Sequence, residues 1–219
     1  MKQYPKILHF NSAPIGANCY GFYKHDGSNI RFEWGRKRGW YKFGSKMVMI
    51  DRNTPILGNS IDLFLNKYGE DLDTIFRSKY KSVESFVVFG EYFGDKSFAG
   101  QHVEDDEKDV ILFDVNQYKR GFIPPQEFID NFGQLHIPNL IYKGVYNEDL
   151  IKSVRENTLN LEEGLVCKGV MKTKKEGQII WMSKIKTNEW LRKVKLIYGE
   201  KALLDEFNND KKLMQLCTI

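Results

Sequence analysis

Six charged side chains stand where the sequence otherwise reads as apolar strand or as the loop beside one: Lys24, Glu91, Glu163, Lys184 and Lys186 in strands or at strand ends, and Arg52 on a loop. Singly, each type is most often a satisfied surface charge. Together, four cations and two carboxylates in such contexts point to one cleft that takes something anionic and a metal. Lysines and an arginine can cradle phosphates, and two carboxylates can hold Mg2+ or a ribose. Lys24 opens this reading. It follows the apolar run Cys19–Tyr23 and precedes Asp26, Gly27, Ser28 and Asn29, an order that reads as strand, tight turn, strand. Alone, Lys-x-Asp-Gly is equally well a solvated turn.

The elements that must carry these residues follow from periodicity. Residues Pro5 to Asn11 read as a first strand, broken at Pro14 and Gly16, and Asn29 to Trp34 as another. Gly35 to Gly39 is a basic, glycine-bounded turn between Trp34 and Trp40, which suits either nucleic acid or an exposed hairpin tip. Lys46 to Ile50 is a short strand leading to Arg52. From Ser60 to Tyr80 helical spacing is interrupted at Gly69, which predicts two short helices. Ser85 to Gly94 is an aromatic strand broken by Glu91, either at a strand end facing a cavity or outside a true strand. His102 to Asp109 reads as a solvated acidic loop, Val110 to Val115 as a strand, Pro124 to Phe132 as a helix, and Asn139 to Val145 as a strand. Asn147 starts a helix, and Glu163 opens the next strand. Gln178 to Thr187 ends in Lys184 and Lys186, which at i and i+2 share a strand face. Asn188 to Ile219 reads as helical, with Leu191, Val194, Leu196, Leu203, Leu204 and Phe207 inward.

Composition bounds the class. The 219 residues are 42% hydrophobic and 14% aromatic, enough for a substantial core, and the net charge of +4 permits a polyanionic partner without requiring one. No apolar stretch is long enough for a membrane span, and no signal-peptide core follows the N-terminus. Cys19, Cys167 and Cys217 fit reduced, mostly buried thiols of a cytosolic protein, and the four histidines have no metal-ligand spacing.

Taken in order, Lys24-His-Asp-Gly-Ser-Asn29, Phe89-Gly-Glu91, Phe113-Asp114, Glu163-Gly-Leu-Val-Cys-Lys168 and Lys184-Ile-Lys186 resemble the signature of the covalent nucleotidyltransferases, the DNA and RNA ligases and mRNA capping enzymes. Asn29 and the segment Asp51-Arg-Asn-Thr-Pro-Ile-Leu57 are similar to the bacteriophage RNA ligase 2 family. The likeness covers about residues 5–190. It implies an ATP-dependent RNA ligase of RNA repair that joins 5′-phosphate and 3′-hydroxyl ends, with Mg2+ or Mn2+. By that resemblance Lys24 takes AMP as a phosphoramidate, and Glu91 contacts the ribose. Phe113 stacks on adenine, though alone it would read as core. Glu163 faces ribose and metal, with Glu91 a second metal candidate. Lys184 and Lys186 hold the α-phosphate, and Asn29 and Arg52 act in the later steps. Elementary chemistry agrees. A free lysine has a pKa of about 10.4 and must lose its proton to attack, and neighbouring cations help it do so. Those cations also neutralise charge on the phosphate being transferred.

The expected fold is α+β: antiparallel sheets with packed helices, a nucleotidyltransferase (ATP-grasp-like ligase) domain over residues 1–190, a helical extension of it over 191–219, and no OB-fold. The stretch before Lys24 is too short for the nicotinamide-binding domain of NAD+-dependent ligases, so ATP is the expected nucleotide. Expected partners are RNA, as a nicked duplex or broken ends, and an accessory RNA-binding protein. The protein is expected to be a monomer, without a membrane, in the cytoplasm or, if phage-encoded, the host's. The alternatives are a minimal DNA ligase, a capping-type guanylyltransferase, and a binding protein without catalysis.

Overall fold

The computed structural model describes residues 1–173 and 177–216. In chain order its elements are β1 (Leu8–His9), β2 (Asn18–Lys24), β3 (Ser28–Gly35), β4 (Gly39–Ser45), β5 (Met49–Ile50), α1 (Asn59–Lys79), β6 (Ser85–Gly94), β7 (Lys108–Gln117), β8 (Gly121–Phe122), α2 (Pro125–Phe132), β9 (Leu140–Val145), α3 (Glu148–Arg155), β10 (Gly164–Thr173), β11 (Gly177–Lys186), α4 (Asn188–Glu206) and α5 (Lys211–Leu216). The class is α+β, as expected. Two compact units share the chain: Met1–Pro5 with Asp26–Pro138, and Lys6–His25 with Asn139–Ile219. Strands β2 and β3 therefore do not form a hairpin; the turn after Lys24 leads from one sheet into the other.

The first unit is built on an antiparallel sheet of order β5-β4-β3-β6-β7-β8. Ile30, Phe32 and Trp34 alternate on one face of β3 and are fully buried. α1 covers that face, with Phe64 stacked on Phe32 and Phe76 on Phe86. The helix runs unbroken through Gly69, contrary to the two helices expected. A mid-helix glycine costs only about 1 kcal/mol, and the eight side chains and backbone sites α1 buries outweigh it. Gly69 also accepts a hydrogen bond from Trp40 Nε1 at 3.0 Å. The strand expected from Lys46 shrinks to Met49–Ile50, because Ser45 and Val48 close a turn instead. Of the basic turn, Arg36 folds inward: its Nη2 donates to the carbonyls of Phe76, Tyr80 and Val83 at 3.2, 2.8 and 3.2 Å. It thus caps the C-terminal end of α1, and the neighbouring Trp34 is core. The acidic loop is not wholly solvated either, since Asp106 is buried against Lys108 at 2.7 Å.

The second unit has the sheet order β1-β11-β10-β2-β9, with only β1–β11 parallel. The strand expected over Pro5 to Asn11 is reduced to two residues followed by a 3-10 turn at Phe10–Ser12. α3 is capped by the Asn147 side chain, which accepts from Leu150 N. Thr187 caps α4 in the same way through Trp190 N. α4 kinks at Gly199, whose φ of +81° leaves the helical region. The kink resets the helical period, so Leu191, Val194, Leu203 and Phe207 are buried while Leu196, expected inward, is 86% exposed. Cys19 and Cys167 are buried free thiols; Cys217 lies outside the described residues. No described helix is long and apolar enough to cross a membrane.

Candidate active site

Register brings the lysines of the second unit together. Gly164, the first residue of β10, lies opposite Lys24 at the end of β2 and opposite Lys186 at the end of β11. Two strand ends thus flank the residue just before it, Glu163. Gly164 has φ +152°, and a Cβ there would strike the Ile185 carbonyl, so only glycine lets β10 start this close to β11. Glu163 is buried and bridges both cations: Lys24 Nζ donates to Oε2 at 2.7 Å, and Lys186 Nζ meets Oε1 at 2.6 Å. Lys186 also meets Glu206 Oε2 at 2.6 Å, and its ammonium lies 3.6 Å from the centre of the Trp190 ring.

The electrostatics follow from that geometry. Burial works to raise the pKa of Glu163, but Lys186 and Lys24 outweigh it and hold the carboxyl below its usual range. Lys184, two residues before Lys186 on the same strand face, is pushed down to about 8 by burial and then by Lys186. Burial and the charges of Lys184 and Lys186 push His9 down to about 4, so its ring is neutral at pH 7. One expectation needs correcting. The amine of Lys24 is not surrounded by positive charge alone, because a carboxylate sits 2.7 Å away and favours the ammonium.

The other expected residues belong to the first unit. Asn29 and Glu91 face each other across β3 and β6. Glu91 lies within the strand, which runs on to Gly94, so the strand reading was sound. The Asn29 side-chain oxygen is buried without a hydrogen-bond partner. Phe113 is half-buried, edge-on to Tyr4 at 5.0 Å, and Tyr4 donates to Asp114 Oδ2 at 2.8 Å. Arg52 pairs with Asp62 at 2.9 Å, both well exposed, at the first turn of α1. The Asp26-Gly27 pair after Lys24 has structural reasons. Asp26 accepts the N–H groups of Ala99 and Gly100 at 2.8 and 3.2 Å, and a Cβ at Gly27 would strike the Tyr92 carbonyl.

Sequence reasoning missed Trp190, Arg155, His9, Tyr4 and Glu206. Trp190 had a signal: Thr187 is a capping residue, and the helix it starts brings position 190 back toward the strand end. Glu206 had none nearby, since it depends on the kink at Gly199. For a metal, no three His, Cys, Asp or Glu side chains cluster among the described residues. Glu163 nonetheless fits Mg2+, which commonly takes one carboxylate and fills its shell with phosphate oxygens and water.

This buried carboxylate between two strand-end lysines accompanies a family match. The RNA ligase family model matches residues 22–186, and the chain belongs to that family. Structures of Naegleria gruberi RNA ligase share the fold. The form with PPi has a TM-score of 0.60 and 16% identity, covering 89% of this chain and 58% of that one. A lysine-to-alanine mutant with ATP and Mn gives 0.60 and 14%, covering 86% and 57%. A glutamate-to-alanine mutant with AMP and Mn gives 0.61 and 14%, covering 88% and 58%. The chain thus spans less than two thirds of those ligases' length. No curated protein matches it by sequence.

Proposed function

We propose that the chain is an ATP-dependent RNA ligase that joins 5′-phosphate and 3′-hydroxyl ends through a lysyl-AMP on Lys24. The observation that carries this reading is the Glu163 carboxylate shared between Lys24 and Lys186, with Lys184 on the same strand face. Family membership and the ATP, AMP, Mn and PPi held by the Naegleria enzyme support it.

Lys24 is 19% exposed at its side chain, so its proton can pass to solvent. Glu163, held ionised by two cations, is a weak base, and its role is to aim the amine. The neutral amine attacks the α-phosphorus of ATP, an N–P bond forms, the α–β P–O bond breaks, and pyrophosphate leaves with that electron pair. Lys184 and Lys186 offset the charge that develops on the phosphate oxygens. Mg2+ or Mn2+ on Glu163 would add charge neutralisation at those oxygens. A 5′-phosphate oxygen of the RNA then takes the AMP, and Lys24 recovers its proton. Finally a 3′-hydroxyl attacks the 5′-phosphorus and AMP departs.

In this reading Glu91 meets the ribose, Phe113 stacks on adenine, and Asn29 and Arg52 serve the two later steps. Residues 1–190 form the adenylyltransferase domain and 191–219 its helical extension. The working form is a cytoplasmic monomer, with an accessory RNA-binding protein to hold the ends. Incubation with labelled ATP or GTP, then with nicked RNA or nicked DNA, tests the proposal. ATP alone should label the protein, and nicked RNA should be sealed faster. Labelling by GTP would favour a capping enzyme, and preference for nicked DNA a DNA ligase.

A further inference from the structure

Lys186 holds two carboxylates, and the ligase reading explains only one. Glu163 is buried and shared with Lys24. Glu206 lies beyond the 22–186 family match, at the end of α4, and reaches Lys186 at 2.6 Å. Lys184 Nζ also comes within 3.5 Å of the Glu206 carbonyl oxygen. On the other side stands Arg155, in the last turn of α3, its guanidinium 5.4 Å from the centre of the Phe10 ring and its Nε donating to Asn188 at 3.3 Å. These groups enclose a cavity of about 10 Å³, room for about one water.

The charge balance is unusual. Lys184, Lys186 and Arg155 line this cavity, and Glu206 is the one acid that lines it with them. Mutual repulsion contributes to the lowered value of Lys184, so the cluster favours more negative charge than one carboxylate brings. Glu206 is also the acid that can leave. Its side chain is 25% exposed at a helix end, against 2% for Glu163, and a rotamer change frees Lys186 without unfolding anything.

We propose that Lys184, Lys186 and Arg155 form the subsite for the pyrophosphate half of ATP, and that Glu206 is an internal anion occupying it until a phosphate takes its place. The proposal rests on the ligase reading and adds to it. A diphosphate brings several charges and fork-shaped acceptors for the Arg155 guanidinium, where the carboxylate brings one charge. Apparent affinity falls by the fraction of time the subsite is open. The device keeps the lysines paired in the empty enzyme and makes nucleotide binding displace a built-in competitor.

Calorimetric titration of the full chain with inorganic pyrophosphate, and separately with AMP, tests this without turnover. Glu206→Gln keeps shape and removes the charge, and circular dichroism checks its fold. It should bind pyrophosphate about tenfold tighter, as for a site open one-tenth of the time that becomes open throughout. Arg155→Ala should weaken pyrophosphate several-fold and leave AMP unchanged. Equal or weaker pyrophosphate binding by Glu206→Gln overturns the proposal, as does an Arg155→Ala loss that is the same for AMP. A mass measurement separates the two ideas. If the wild-type chain gains AMP from ATP while Glu206→Gln binds pyrophosphate no tighter, the subsite fails and the ligase reading stands. If pyrophosphate binds as described but Lys24 never gains AMP, the ligase reading fails instead.

Discussion

Replacing Glu163 by glutamine removes one negative charge from between two ammonium groups. Breaking a buried ion pair by deleting one partner costs about 3–5 kcal/mol. Here Lys186 keeps Glu206 and Lys24 keeps some access to water, which sets the cost at the lower end, about 3 kcal/mol. For a chain of this size each kcal/mol moves Tm by about 2–4 °C, so the variant should melt about 6–12 °C lower at pH 7. Acid should close the gap, for a definite reason. The folded-state pKa of Glu163 lies below its ordinary value of 4.5, so its contribution is present above that value and lost as pH falls through the lower one. Calorimetric melts from pH 7 downward should show a constant gap to about pH 5 that then vanishes. A gap under about 1 kcal/mol at pH 7, or one that persists in acid, would refute a bridging carboxylate.

Three further outcomes are expected. Arg36→Ala should lose about 2–3 kcal/mol, because three carbonyls at the end of α1 lose a charged donor, and RNA affinity in a gel-shift assay should not change. A matching fall in RNA affinity would restore the nucleic-acid reading of that turn. With Lys184 at about 8, its charge is lost as pH rises through that value, so AMP affinity measured by calorimetry should fall above pH 8. Lys184→Arg should flatten that limb, since guanidinium stays charged; an unchanged profile would remove Lys184 from the phosphate site. Arg52→Ala should leave stability within about 0.5 kcal/mol, since its ion pair is exposed. It should still gain AMP from ATP yet seal nicked RNA slowly; full sealing activity would exclude a role in the later steps.

What could be read from the chain, and what could not, divides along locality. Lys24, Glu163, Lys184 and Lys186 were legible because polar residues in apolar strands are rare, and i, i+2 spacing fixes a shared face. The α+β class and most strand positions came from alternation of the same kind. Gly69 misled because helix propensity is a weak prior, and the Phe64, Tyr68, Leu72 and Phe76 face overrode it. Arg36 misled because a basic residue beside tryptophans looks exposed until its carbonyl partners, 40 to 47 positions away, are known. Glu206 was invisible, since its approach to Lys186 needs the backbone of Gly199 to leave the helix. The sign of the charge nearest Lys24 was missed for a related reason. Glu163 was placed at the ribose and metal, while the register that sets it against the amine is a matter of three strands meeting at Gly164.

The central claim is that the Lys24 amine carries the nucleotide. Intact-mass measurement after incubation with ATP and Mg2+ tests it most directly. The wild-type chain should gain one AMP, reversed by added pyrophosphate, and folded Lys24→Ala should gain none. A wild-type chain that gains no mass, or a Lys24→Ala chain that gains the same AMP, would contradict the account.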